Sequence, residues 1–201
     1  MFTLRQLSEK TIEYGKDLDI LFVDQEKAFD RVDRNILWET LESYGINEHL
    51  IENIRALYQN CQSTVRTTDG LTDTFETTTG VRQGCVLSPL LFNVYIDRVI
   101  KEAQQLKDNT TETEQDSEEQ LNNELSELLF ADDQCLIYHD EEKLQKHTNS
   151  LLATCRKYNM NINIQKTEAM KISRSSSPLI VFFLALVLIL PPPLDFKQSQ
   201  D

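Results

Sequence analysis

The chain has 201 residues, 40% hydrophobic and 26% charged, an ordinary globular balance with enough apolar residues for one core. Its formal net charge of −13 has the wrong sign for gripping a phosphate backbone and argues against strong independent nucleic-acid binding. The four cysteines are widely spaced with no Cys-x-x-Cys pair, and the three histidines lack metal-ligand spacing, so no zinc site is expected and reduced thiols in an intracellular compartment are the expectation. No apolar run follows Met1, so no signal peptide is expected.

In chain order, Leu4 to Tyr14 reads as an opening helix, and Ile20 to Val23 as a short buried strand ended by Asp24. Asp33 is placed to cap a helix over 34–44, with Ile36, Leu37, Leu41 and Tyr44 on one face and Gly45 as its stop. Asn47 can cap the next helix, in which Leu50, Ile51, Ile54, Leu57 and Tyr58 repeat at helical spacing. Strands are expected over 63–68 and 71–78 around an Asp69-Gly70 turn, then a loop over 80–87. Ser88-Pro89 opens a helix whose Leu90, Leu91, Val94 and Tyr95 face inward. Residues 104–127 are expected to form an acidic, disordered insert; the stretch 108–127 alone carries eight acids and no base, and without it the net charge is −5. Asp140 opens the last helix, with Leu144, His147, Leu151, Leu152, Cys155 and Tyr158 on one face, where His147 is expected to pack rather than ligate. Residues 179–190 are twelve apolar residues between prolines, short of the ~20 needed for a membrane span, so a membrane role is not expected.

Two carboxylate features stand out. Asp132-Asp133 lies between Leu128-Leu129-Phe130-Ala131 and Cys135-Leu136-Ile137-Tyr138, the pattern of a hairpin with two acids at its tip. Asp-Asp is also a good turn dipeptide with no further role. Two like charges about 4 Å apart repel by roughly 4 kcal/mol at an effective dielectric near 20, which a divalent cation would offset. Hard carboxylate oxygens suit Mg²⁺. Asp24, at the end of its strand, could complete a two-metal site, or could be a helix cap or a solvated strand end.

Between these acids lies Gly80-Val81-Arg82-Gln83-Gly84-Cys85-Val86-Leu87-Ser88-Pro89-Leu90-Leu91-Phe92-Asn93. Asp24 with Phe29 five residues on, this block, then Phe130-Ala131-Asp132-Asp133, then Asn161 to Glu168, occur in that order. The ordered set resembles a reverse transcriptase, most like that of non-LTR (long interspersed) retrotransposons, over about Thr3 to Ser173.

The resemblance implies an α+β, polymerase palm-like domain with a small antiparallel sheet packed on helices. Residues 1–173 would be a partial palm with its insert at 104–127, fingers and thumb incomplete, and 174–201 a non-homologous tail, as in a truncated element copy. It implies RNA-directed DNA polymerisation on a primer 3′-hydroxyl, with an RNA template, a DNA primer and deoxynucleoside triphosphates as partners, in the nucleus or cytoplasm. Asp24, Asp132 and Asp133 would hold two Mg²⁺ ions, or Mn²⁺. Phe29 would lie under the incoming sugar and disfavour a 2′-hydroxyl, or be a core aromatic. Gln83 and Gly84 would line the nascent pair and template, Arg82 would contact a phosphate or cap a strand, and Lys166 would stand near the departing pyrophosphate or be a plain exposed lysine. Phe130 stands where the family usually has Tyr. The alternative is a catalytically dead retroelement remnant acting at most as an interaction module. A two-metal nuclease fits the acids alone, but has no use for the block around Gln83.

Overall fold

A computed structural model describes residues 2–68, 70–109, 126–173 and 182–184. They fall into two units, one drawn from residues 2–24, 126–150, 162–173 and 182–184, the other from residues 25–68, 70–109 and 151–161.

The first unit is built on an antiparallel sheet. Its helix α1 (Phe2–Glu13) precedes β1 (Leu18–Val23). Four more strands follow, β6 (Glu127–Phe130), β7 (Asp133–Tyr138), β8 (Glu168–Ile172) and β9 (Phe182–Leu184). The sheet order is β6-β7-β1-β8-β9. β1 and β7 are central and read as near-continuous apolar runs because both of their faces are covered. On one face Leu18, Ile20, Cys135, Ile137 and Ile172 pack together under Leu4, Leu7 and Ile12 of α1. On the other, Leu21 and Leu136 are fully buried, and the Tyr138 ring meets His147 edge-on with centroids 5.8 Å apart. His147 belongs to α6 (Glu141–Lys157), which Asp140 opens by accepting from the Glu142 and Lys143 N–H groups. Its Nδ1 lies 2.8 Å from the Tyr138 hydroxyl, so it is a packed core histidine. Asp19 is buried on this second face opposite Lys171, with 3.3 Å between their charged atoms; burial raises its carboxyl above the ordinary range while Lys171 pulls it down. Burial pushes the Cys135 thiol up to about 11.

The second unit is mainly helical, with α2 (Ala28–Arg31), α3 (Arg34–Ser43), α4 (Glu48–Leu57) and α5 (Ser88–Asn109). Asp33 caps α3 by accepting from the N–H groups of Asn35 and Ile36, and Asn47 caps α4 by accepting from His49. Leu37, Leu41, Ile51, Phe92, Tyr95 and Val99 form its core, with Cys155 and Tyr158 from the end of α6. The Tyr95 hydroxyl donates to the Tyr158 carbonyl at 2.7 Å. Burial pushes the Cys155 thiol up to about 12.

Two expectations change. The strands expected over 63–68 and 71–78 shrink to two-residue pieces, β2 (Gln62–Ser63) with β5 (Phe75–Glu76) and β3 (Arg66–Thr67) with β4 (Gly70–Leu71). Nearly every position there is exposed, so no apolar face rewards longer pairing; Asp69 lies outside the described residues. α5 runs to Asn109, so residues 104–109, expected to begin the insert, are helical; Gln104, Gln105, Leu106 and Lys107 are good helix formers that extend it. The insert's residues 110–125 lie outside the described residues, as does the apolar run apart from Phe182–Leu184, whose backbone pairs with β8 as an added strand. Among the described residues no helix is long and apolar enough to cross a membrane.

Candidate functional site

The antiparallel pairing of β1 with β7 sets Val23 opposite Gln134. The pairing ends there: Asp24 follows Val23 at the end of β1, and Asp133 precedes Gln134 at the start of β7. β6 and β7 close with Phe130 opposite Asp133, so the two-residue loop is Ala131-Asp132, and Asp133 is the first residue of β7. This shifts the expected tip by one position. Ala131 takes φ 54°, the left-handed region that such tight hairpin loops require. Asp24 and Asp132 are half-buried and Asp133 is exposed. The three side chains are hard-oxygen donors of the kind that divalent cations take. Among the described residues no group of three His, Cys, Asp or Glu side chains is gathered closely enough to hold a metal ion as the chain stands.

The backbone of Asp24 is clamped from a distant part of the chain. Its carbonyl accepts from the Asn163 N–H at 2.8 Å. Its N–H donates to the Thr167 hydroxyl at 3.3 Å, and that hydroxyl donates to the Asn163 carbonyl at 2.8 Å. Thr167 is buried. Sequence reasoning gave Asn163 and Thr167 no role; their only signal was membership of the block from Asn161 to Glu168. Thr167→Val is expected to destabilise the chain by about 1–2 kcal/mol, since it strands the Asp24 N–H. Thr167→Ser is expected to restore the loss, both measured as urea midpoints. Lys166 sits in the turn before β8, exposed, with no ion pair to a described residue.

The remaining candidate residues belong to the second unit. Phe29 is half-buried and stacks on fully buried Phe92, ring centroids 4.4 Å apart at 15°. That is the core-aromatic role for one ring face. The Phe29 carbonyl accepts from the Val81 N–H at 2.9 Å, which ties α2 to the loop over 80–87. Gln83 donates through Nε2 to Asp30 at 3.0 Å. Arg82 donates to Cys61 Sγ at 3.0 Å, and its guanidinium lies 5.7 Å from the Tyr58 ring centre. Gly84 has φ +84° with open space where a Cβ would stand, which leaves the backbone accessible. Cys85, next in the loop, has its thiol held below the ordinary range chiefly by the Leu87 N–H. The buried Gln25 amide, one residue after Asp24, has no hydrogen-bond partner among the described residues on either atom.

Residues 3–187 match the family described as reverse transcriptase (RNA-dependent DNA polymerase). A Pol polyprotein from the type-1 retrotransposable element R2 of Popillia japonica is 27% identical over 192 residues, 93% of this chain and 26% of that protein. The transposon TX1 149 kDa protein of Xenopus laevis is 35% identical over 97 residues, 48% of this chain and 7% of that protein. The chain thus spans about a quarter or less of these relatives. Among solved structures, apo telomerase from Candida tropicalis superposes with TM-score 0.62 at 18% identity, covering 88% of this chain and 32% of that one. Telomerase from Candida albicans, in complex with a fragment of telomeric RNA, gives TM-score 0.62 at 14% identity, covering 90% and 32%. The α+β fold with its antiparallel sheet is therefore a polymerase fold, and by its sequence the chain belongs to the reverse transcriptase (RNA-dependent DNA polymerase) family, with non-LTR retrotransposon proteins among its relatives.

Proposed function

We propose that this chain supplies the palm of an RNA-directed DNA polymerase. The reaction joins a primer 3′-oxygen to the α-phosphorus of a deoxynucleoside triphosphate, breaks the α–β anhydride bond and releases pyrophosphate, with an RNA template choosing the base. The observation that carries the reading is the pairing of β1 with β7, which ends at Val23 opposite Gln134 and so brings the strand end followed by Asp24 to the hairpin that bears Asp132 and Asp133. These three carboxylates would hold two Mg²⁺ or Mn²⁺ ions, which when bound lower the pKa of the 3′-hydroxyl and neutralise the leaving pyrophosphate.

The chain's own residues do the positioning. Thr167 and Asn163 fix the Asp24 backbone so that its carboxylate stays at the strand end. Phe29, backed by Phe92, offers a rigid ring to the incoming sugar. Gly84 lets the strand approach the loop backbone, and Gln83, steadied by Asp30, lines the nascent pair. Arg82 offers its remaining N–H groups to a phosphate, and Lys166 a cation to the departing pyrophosphate. Primer extension on an RNA template by the full chain, compared with its Asp24→Asn and Asp132→Asn variants, tests the reading.

The net charge of −13 and the lack of a preformed three-ligand group among the described residues favour a second reading, a folded remnant without catalysis. Added Mg²⁺ separates the two, because a cation that binds only the folded state raises the melting temperature.

A further inference from the structure

The second unit carries a cavity of about 350 Å³ lined by Arg34, Asn35, Trp38, Arg55, Tyr58, Gln59 and Thr78. That is within the range of small-ligand sites, ~300–1,000 Å³. No acid lines it, in a chain whose acids outnumber its bases 33 to 20. Its two arginines are used differently. Arg34 is spent on the fold, donating to the carbonyls of Gly80, Thr77 and Thr79 at 2.9, 2.7 and 3.0 Å while lying 5.0 Å from the Tyr58 ring centre. It contributes charge more than donors. Arg55 is exposed at the end of α4 and lies 5.9 Å from the Trp38 ring centre, with no carboxylate partner among the described residues. A guanidinium laid over an aromatic face keeps its edge, and so its paired N–H donors, turned outward for an oxyanion. Trp38 and Tyr58 are nearly buried, so the open aromatic-like plane is the guanidinium itself. The Asn35 and Gln59 side chains are exposed and have no described hydrogen-bond partner, and can serve a ribose hydroxyl or a base edge.

We propose that this cavity is a binding site for one phosphate-bearing nucleotide of a single-stranded nucleic acid, with Arg55 holding the phosphate. The choice of a nucleic-acid strand rests on the polymerase reading; the anion site itself does not.

Trp38 is the only tryptophan of the chain, so its fluorescence reports this cavity alone. The test titrates the full chain with a single-stranded RNA oligonucleotide in EDTA, where the carboxylate site is silent. Saturable, salt-sensitive quenching is expected. Arg55→Ala should weaken it at least fivefold and reduce the salt slope by about 0.7, the increment for one phosphate contact on a single strand. Arg66→Ala, an exposed arginine outside the cavity, should change neither. No quenching, or equal quenching in Arg55→Ala, overturns the proposal. Inorganic phosphate or polyglutamate acting at the oligonucleotide's concentration overturns the assignment to a strand. Loss of primer extension with the quench intact would sink the polymerase reading and spare this one.

Discussion

Asp24→Asn and Asp132→Asn are each expected to lower RNA-templated primer extension at least ~100-fold, the scale of losing one charge-stabilising group at a reacting phosphate, without lowering stability in metal-free buffer. The pairing of these two outcomes is the diagnostic. The hydrogen bonds that hold Asp24 run through its backbone, to Thr167 and Asn163, so an asparagine keeps the frame. Like charges at neighbouring strand ends are destabilising by about 0.2–1 kcal/mol when solvent screens them, as it does exposed Asp133. Asp133→Asn should therefore raise the melting temperature slightly in EDTA. Mg²⁺ should raise that of the parent chain, by ~2.7 kcal/mol of stability at a hundred times its dissociation constant, and should do less for each variant. A residue of merely structural worth would behave oppositely, losing stability along with activity. Full extension by Asp132→Asn, or unfolding of all three variants, would remove the metal-site reading.

What the sequence disclosed follows the range of the forces involved. Asp33 and Asn47 could be seen as caps because a cap is decided within three residues. β1 and β7 could be seen because buried central strands need apolar residues at successive positions. The hairpin tip could not be placed to the residue. Asp132-Asp133 is the better turn dipeptide, yet Phe130 pairs with Asp133, and the left-handed position falls on Ala131, a residue with no preference for it. Of the site, the three acids were visible as a motif in order. The clamp on Asp24 was not, because Thr167 lies 143 residues away and its hydroxyl is unremarkable in the chain. The stack of Phe29 on Phe92 and the gathering of Arg34, Arg55 and Trp38 around one cavity depend on helix packing, which periodicity brings near without fixing.

Gly80→Ala is expected to destabilise the fold by roughly 2–5 kcal/mol, from two sources. Gly80 has φ +81°, where an L-residue costs about 1–2 kcal/mol. An added Cβ would also stand 2.9 Å from both the Asp30 Cα and carbonyl oxygen, which are backbone atoms and cannot swing aside. Relieving such a clash costs about 1–3 kcal/mol more. Relaxation is blocked because Gly80 is held on both sides: its N–H donates to the Val32 carbonyl at 2.8 Å, and its carbonyl accepts from Arg34 at 2.9 Å. Gly84→Ala is the internal control. It has φ +84° but nothing within 4 Å of the new methyl group, so it bears the conformational cost alone. The difference between the two variants, read as urea midpoints at unchanged m, isolates the steric part. If Gly80→Ala cost no more than Gly84→Ala, the close approach of the loop to α2 would be wrong. With it would go the support that Asp30 lends to Gln83 and that the Val81 tie lends to Phe29, the two contacts on which the proposed roles of these residues rest.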